Sequence, residues 1–115
     1  MFFDFNDYDF YLRPGKTDMR KGSSSLTYLI QDEMHLNPFE KSVFVFCSGN
    51  RTIIKAIVWD QNGFWELTKR FETGSVCWPK DVKAAKRVSI TAIKNMLKGQ
   101  NPWRQLEVLR PSRVC

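Results

Sequence analysis

No stretch of this chain approaches the roughly 20 consecutive apolar residues that a membrane span needs, which speaks against an integral membrane protein. The amino terminus reads Met1-Phe-Phe-Asp-Phe-Asn-Asp, with acids where a secretory signal carries bases, so a cytoplasmic location is expected. Cysteine is sparse. Cys47, Cys77 and Cys115 are odd in number and far apart, and they read as reduced thiols and not as a disulfide framework. There is one histidine, His35, and no Cys-x-x-Cys spacing, so neither a metal nor a cofactor is expected. No internal repeat and no Gly/Ser/Pro linker divides the 115 residues, which read as one domain: a possible arm over 1–10, a core over 11–99 and a basic tail over 100–115. With 43% hydrophobic and 14% aromatic residues, the chain has the material for a true core and is not a disordered segment.

Acids are scarce in one part only. Residues 41–115 hold five acids against fourteen bases, a net +9, whereas residues 1–40 hold seven acids and four bases, a net −3. The stretch 80–113 is densest, with nine bases and two acids. A basic body beside an acidic amino-terminal third points to a polyanionic partner, most simply nucleic acid. The competing reading is a solvated, Lys-rich surface.

The apolar pattern changes period along the chain. Phe10-Tyr-Leu-Arg13 closes the arm or forms a first strand, and Pro14-Gly15 marks a turn. Thr17 can cap a helix, with Asp18 in its first turn; Met19, Leu26, Leu29 or Ile30, and Met34 make one stripe, and Pro38 stops it near His35-Leu36-Asn37. This predicts a helix of about 16 residues. Three short runs follow: Ser42–Cys47, Thr52–Trp59 and Phe64–Phe71, separated by Ser48-Gly-Asn-Arg51 and by Asp60-Gln-Asn-Gly63, which ends in a hairpin signal. Val76-Cys-Trp78 is a candidate short strand, Lys80–Arg87 a basic turn or loop, and Thr91 a cap for a helix over Ala92–Lys98, stopped by Gly99. The predicted fold class is α+β: a three- to four-stranded antiparallel meander packed against one longer amino-terminal helix and a short carboxy-terminal helix.

Gly15-Lys16-Thr17 looks like the end of a phosphate-binding loop, but the glycine required five residues earlier is Phe10, and Pro14 removes a backbone donor. Two-metal phosphoryl chemistry needs several converging carboxylates. Cap, turn and strand-surface roles account for Asp18, Asp60, Glu66, Glu72 and Asp81, so no catalytic residue is assigned. What remains is cations interleaved with aromatics. Arg20 and Lys21 stand near the predicted helix start, where positive charge opposes the dipole; either they serve a partner or Arg20 pairs with an acid such as Asp18. Arg51 lies in the first turn of the meander, and Lys55, Lys69 and Arg70 lie on its strands. Trp59, Trp65 and Trp78 are nearby, to be packed in the core or exposed for stacking on bases.

Read in order, Thr17-Asp-Met-Arg-Lys-Gly22, Asn37-Pro-Phe39, Val43-Phe-Val-Phe46, Lys55 before Trp59-Asp60, Gly63-Phe64, Lys69-Arg70, Trp78-Pro79 and Leu97-Lys-Gly99 resemble the Orf2-like TnpB accessory family of the IS66 insertion sequences. The resemblance covers about residues 11–99. It departs from the usual pattern at Ser23-Ser24, where an aromatic and an acid are common, and at Cys47-Ser48, where the turn is often more basic. It implies a bacterial mobile-element protein that acts in transposition with a small companion, TnpA, and a large transposase that holds the catalytic acids. No catalytic residue is carried over.

Together these readings give a non-catalytic accessory protein for DNA transposition. Its expected partners are DNA, the transposase and TnpA, and its expected contact residues are Arg20, Lys21, Arg51, Lys55, Lys69, Arg70 and Trp78. One alternative is a small basic ribonuclease-toxin-like protein using Tyr8, Tyr11, Arg13 and Lys16. Another is a structural assembly subunit without nucleic-acid contact.

Overall fold

A computed structural model describes residues 5–80, 86–100 and 102. After a 3-10 turn at Phe5–Asp7, strand β1 runs over Asp9–Leu12. Phe10 and Leu12 enter one apolar layer and Tyr11 the other, the period-2 alternation of a strand covered on both faces. Strand β2, Ser42–Cys47, is buried at every position, as its unbroken Val-Phe-Val-Phe run suggests. β3 (Ile53–Asp60) and β4 (Gly63–Arg70) complete the predicted meander, with β2–β3 and β3–β4 both antiparallel. The loop residues of the second turn are Gln61 and Asn62, and Gln61 has φ of 58°; the hairpin signal therefore sits one position earlier than Asn-Gly suggested.

The sheet itself is larger and mixed, which corrects the prediction of a purely antiparallel meander. It has five strands in the order β4-β3-β2-β1-β5, with β5 at Lys86–Val88. β1 runs parallel to β2 and antiparallel to β5. The cause is the connection. Between β1 and β2 the chain passes through helix α1, Ser23–Asp32, and a helical crossover returns the next strand in parallel.

α1 buries Leu26, Leu29 and Ile30 against Phe44, Phe46 and Ile57 on one sheet face. On the other face α2, Ile90–Leu97, buries Ile93 and Met96 against Phe10, Val43, Val45, Ile54 and Val58. Ser89 caps α2 by accepting from the Ala92 N–H at 3.1 Å, two residues ahead of the predicted Thr91, and Gly99 leaves the helix at φ 88°.

α1 is ten residues long, not about 16, because residues 17–22 are not helical. Their hydrogen-bonding groups are spoken for. The Thr17 N–H donates to the Cys47 carbonyl at 2.8 Å, and the Thr17 hydroxyl accepts from Arg13 at 2.9 Å. Asp18 accepts the Arg20 N–H at 2.9 Å, an Asx-type turn that competes with helix. The carbonyls of Met19 and Lys21 accept from the Lys55 ammonium at 3.1 and 3.0 Å, so they are withdrawn from any i→i+4 ladder.

Val76–Trp78 is buried but forms no strand; the Val76 N–H donates to the Arg51 carbonyl at 2.8 Å. Cys47 is a free buried thiol, whereas Cys77 is disulfide-bonded, which corrects the expectation of three reduced thiols. Most of the predicted basic loop at 80–87, the start of the arm and nearly all of the tail lie outside the described residues.

Candidate nucleic-acid interface

Four acids of the amino-terminal third, Asp7, Asp9, Asp18 and Glu33, are paired internally. Arg13 pairs with Glu33 and Arg20 with Asp18, each at 2.8 Å, Arg87 with Asp9 at 2.6 Å and Lys41 with Asp7 at 3.7 Å. Lys55 stands 3.8 Å from Glu66. Among the described residues, Lys16, Arg51, Lys69, Arg70, Lys80 and Lys98 make no ion pair, and all six gather around the turn that joins β2 to β3.

That turn is rigid. The Ser48 hydroxyl accepts from the N–H groups of Thr52 and Ile53 at 3.2 and 3.1 Å and donates to Asn50 Oδ1 at 2.9 Å. The Arg51 N–H donates to the Ser48 carbonyl at 3.1 Å. This holds Arg51 at φ 61°, a left-handed conformation that costs a non-glycine residue about 1 kcal/mol. Its guanidinium is placed accordingly. Nη1 is buried and has no hydrogen-bond partner, an exception to the rule that buried donors are satisfied.

Two cavities share the Arg51 side chain. One, of about 600 Å3, lies between the β4 end and the α2 end and is lined by Arg51, Lys69, Arg70 and Lys98, with Glu72 as its acid. The other, of about 310 Å3, lies between the 14–17 loop and the turn, and is lined by Lys16, Arg51 and Lys80 with no acid among the described residues. Cations with few counter-charges in low-dielectric clefts focus potential and attract polyanions.

Residues 8–107 match the family described as IS66 Orf2 like protein. The chain belongs to this family. The match extends past the 11–99 segment whose motif order resembled the IS66 family. A Sinorhizobium fredii protein recorded as "Uncharacterized protein y4hO" is 33% identical over 105 residues, covering 90% of each chain. No solved structure matches significantly.

The structure divides the motif residues of this IS66 Orf2-like chain into two groups. Arg51, Lys69 and Arg70 converge on the larger cavity. Lys69 also donates to the Leu97 carbonyl at 3.2 Å and lies over the Phe71 ring, which ties β4 to the end of α2. The remaining predicted contacts do not join them. The Lys55 side chain is only 12% exposed and holds the 19–21 carbonyls, so it is a strut and not a contact. Trp78 is 4% exposed and donates its indole N–H to the Arg13 carbonyl at 3.0 Å, so its faces are unavailable for stacking. Arg20 is well exposed but bonded to Asp18 through both carboxylate oxygens. Lys21 lines a third cavity, with Arg13, Lys16 and the turn residues Ser48, Gly49 and Asn50, which also holds the acids Asp18 and Glu33. Trp59 packs edge-on against Phe39 and Phe64, and Trp65 donates to Asp60 at 3.0 Å.

Sequence reasoning missed Lys16, Lys80 and Lys98 as members of the cluster. Lys16 carried a signal, since it stands in the incomplete phosphate-loop string; Lys80 and Lys98 differ in no local way from other surface lysines. Of the ribonuclease set, Tyr11 stacks on Phe44, Tyr8 lies under Lys41 and Arg13 bonds Glu33, whereas Lys16 belongs to the cationic cluster. No group of three or more His, Cys, Asp or Glu among the described residues is placed to hold a metal ion, and no helix among them is long and apolar enough to cross a membrane.

Proposed function

We propose that this IS66 Orf2-like chain is a non-catalytic accessory factor for transposition, and that it binds DNA through the cationic surface centred on Arg51. The observation that carries the reading is the segregation of charge: among the described residues, four of the five ion pairs draw on acids of the amino-terminal third, while six cations without an ion pair, Lys16, Arg51, Lys69, Arg70, Lys80 and Lys98, collect around the β2–β3 turn. Such a surface gains affinity from counterion release and contacts phosphates without reading bases. Family membership supports the process, and with it the large transposase and TnpA as partners.

The test is duplex-DNA binding by the wild type and by a Lys69→Glu, Arg70→Glu double variant across a salt series. Losing two phosphate contacts flattens the slope of log K against log salt by about 2 and weakens binding at every salt concentration. Unchanged binding by the double variant, or no binding by the wild type at low salt, overturns the DNA reading. Co-purification with the transposase and TnpA tests the partner reading separately.

A further inference from the structure

We infer that the smaller cavity at Arg51 is a dedicated socket for a single phosphate group, distinct from the larger basic face that tracks a nucleic-acid backbone. The inference rests on the DNA reading only for the source of that phosphate.

Three observations converge on it. Among the described residues, every charged side chain lining the cavity is cationic: Lys16 from the 14–17 loop, Arg51 from the β2–β3 turn, and Lys80 after Trp78-Pro79. None of the three makes an ion pair among the described residues, although the fold pairs cations freely elsewhere. Arg51 also carries the one buried side-chain nitrogen without a partner among the described residues. The same guanidinium also lines the cavity, and its planar fork of donors matches the oxygens of a phosphate.

The walls are built rather than incidental. Gly15 adopts φ 81° and donates its N–H to the Pro79 carbonyl at 2.9 Å, which brings the Lys16 and Lys80 segments together. Trp78 forms part of the lining and is anchored on the Arg13 carbonyl, closing one side. Across the cavity Gly49 lies against the Lys16 stem: a Cβ added there would meet Lys16 Cδ at 3.6 Å. The volume, about 310 Å3, admits one phosphate with a few waters but not a stacked nucleotide run.

This chemistry has two sources, free inorganic phosphate and the phosphate of a nucleic-acid strand, and the experiment separates them. The first arm measures the melting temperature of the wild type, Arg51→Gln, and a Lys16→Gln, Lys80→Gln double variant against sodium phosphate, with sodium chloride at matched ionic strength. The socket predicts a saturable upward shift in the wild type, reduced in both variants; ligand binding to the native state raises stability with concentration in this way. The double variant alters only side chains at the rim, so it carries the test if Arg51→Gln fails to fold. The second arm compares duplexes bearing 5′-phosphate or 5′-hydroxyl ends. A preference of roughly tenfold for the phosphorylated end, lost in the double variant, assigns the socket to a strand terminus. Equal affinity for both ends together with a phosphate shift assigns it to free phosphate or an internal backbone phosphate. No phosphate-specific shift in the wild type overturns the socket, and does so even if the Lys69→Glu, Arg70→Glu variant still shows the larger face binding DNA.

Discussion

At the scale of single residues, the same charge has different fates in different places. Lys55 and Arg51 sit on adjoining parts of one hairpin. Lys55 points into the gap beneath residues 19–21 and satisfies two backbone carbonyls, with Glu66 3.8 Å away. Arg51 has a buried donor with nothing to satisfy it. Nothing in the local sequence distinguishes a lysine that faces water from one that closes a loop, which is why Lys55 reads as a contact residue until the fold is seen. Lys55→Met keeps the stem but leaves both carbonyls without their charged donor. It is expected to destabilise the protein by about 1–3 kcal/mol in chemical denaturation. DNA affinity of the folded fraction should stay unchanged; a large loss of affinity at full stability would return Lys55 to the interface.

At the scale of elements, the strands were legible and the first helix was misjudged at its start. The unbroken run from Val43 to Phe46 marks β2 because side-chain burial alone decides it; β4, announced by the alternation of Trp65, Leu67 and Phe71, has no buried residue and is fixed by its pairing with β3. The stripe of Leu26, Leu29, Ile30 and Met34 likewise marks the body of α1, and all four are buried. The start of α1 depends instead on partners distant in sequence. Gly22 occupies the N-cap in an extended conformation without a side-chain cap, and the Ser23 N–H is met by Glu66 Oε2 at 3.2 Å, 43 residues away. The parallel register of β1 on β2 is equally non-local, and no strand pattern announces it.

The position of the helix start can be measured. Ser23→Pro places proline at the first helical residue, where its fixed φ is tolerated and the extended Gly22 suits the preceding position. The expected cost is about 1 kcal/mol, from the lost bond to Glu66. A helix beginning at Thr17 would put Ser23 in its interior, and the same substitution would then cost about 3 kcal/mol or more. Denaturation midpoints separate the two values.

At the scale of the whole molecule, two groups are expected to contribute pH dependence at opposite ends of the stability window. The Arg20 guanidinium and backbone N–H hold the Asp18 carboxyl well below its ordinary value of 3.8. The stability this lends is present above that value and is lost as the pH falls below it. Burial pushes the Cys47 thiol from 9.0 up to about 12. The folded state keeps a proton that the unfolded chain releases, so stability falls as the pH rises from 9 toward 12, by up to about 1.4 kcal/mol per pH unit. Melting temperature against pH should therefore show a plateau with two shoulders. Asp18→Asn is expected to flatten the acid shoulder and Cys47→Ala the alkaline one, the latter from a lower plateau because a buried side chain is truncated. An alkaline shoulder unchanged in Cys47→Ala would mean that another group sets it.

The pairing of β5 with β1 has a consequence for how the protein is made. β1 leaves the ribosome before its antiparallel partner, Lys86–Val88, which follows only after more than seventy further residues. Through that interval the nascent sheet can close on β2, β3 and β4, while the outer side of β1 presents unpaired N–H and C=O groups over Phe10, Tyr11 and Leu12. An open strand edge of this kind recruits other strands. Nascent chains released before Val88 are thus expected to be the self-associating ones.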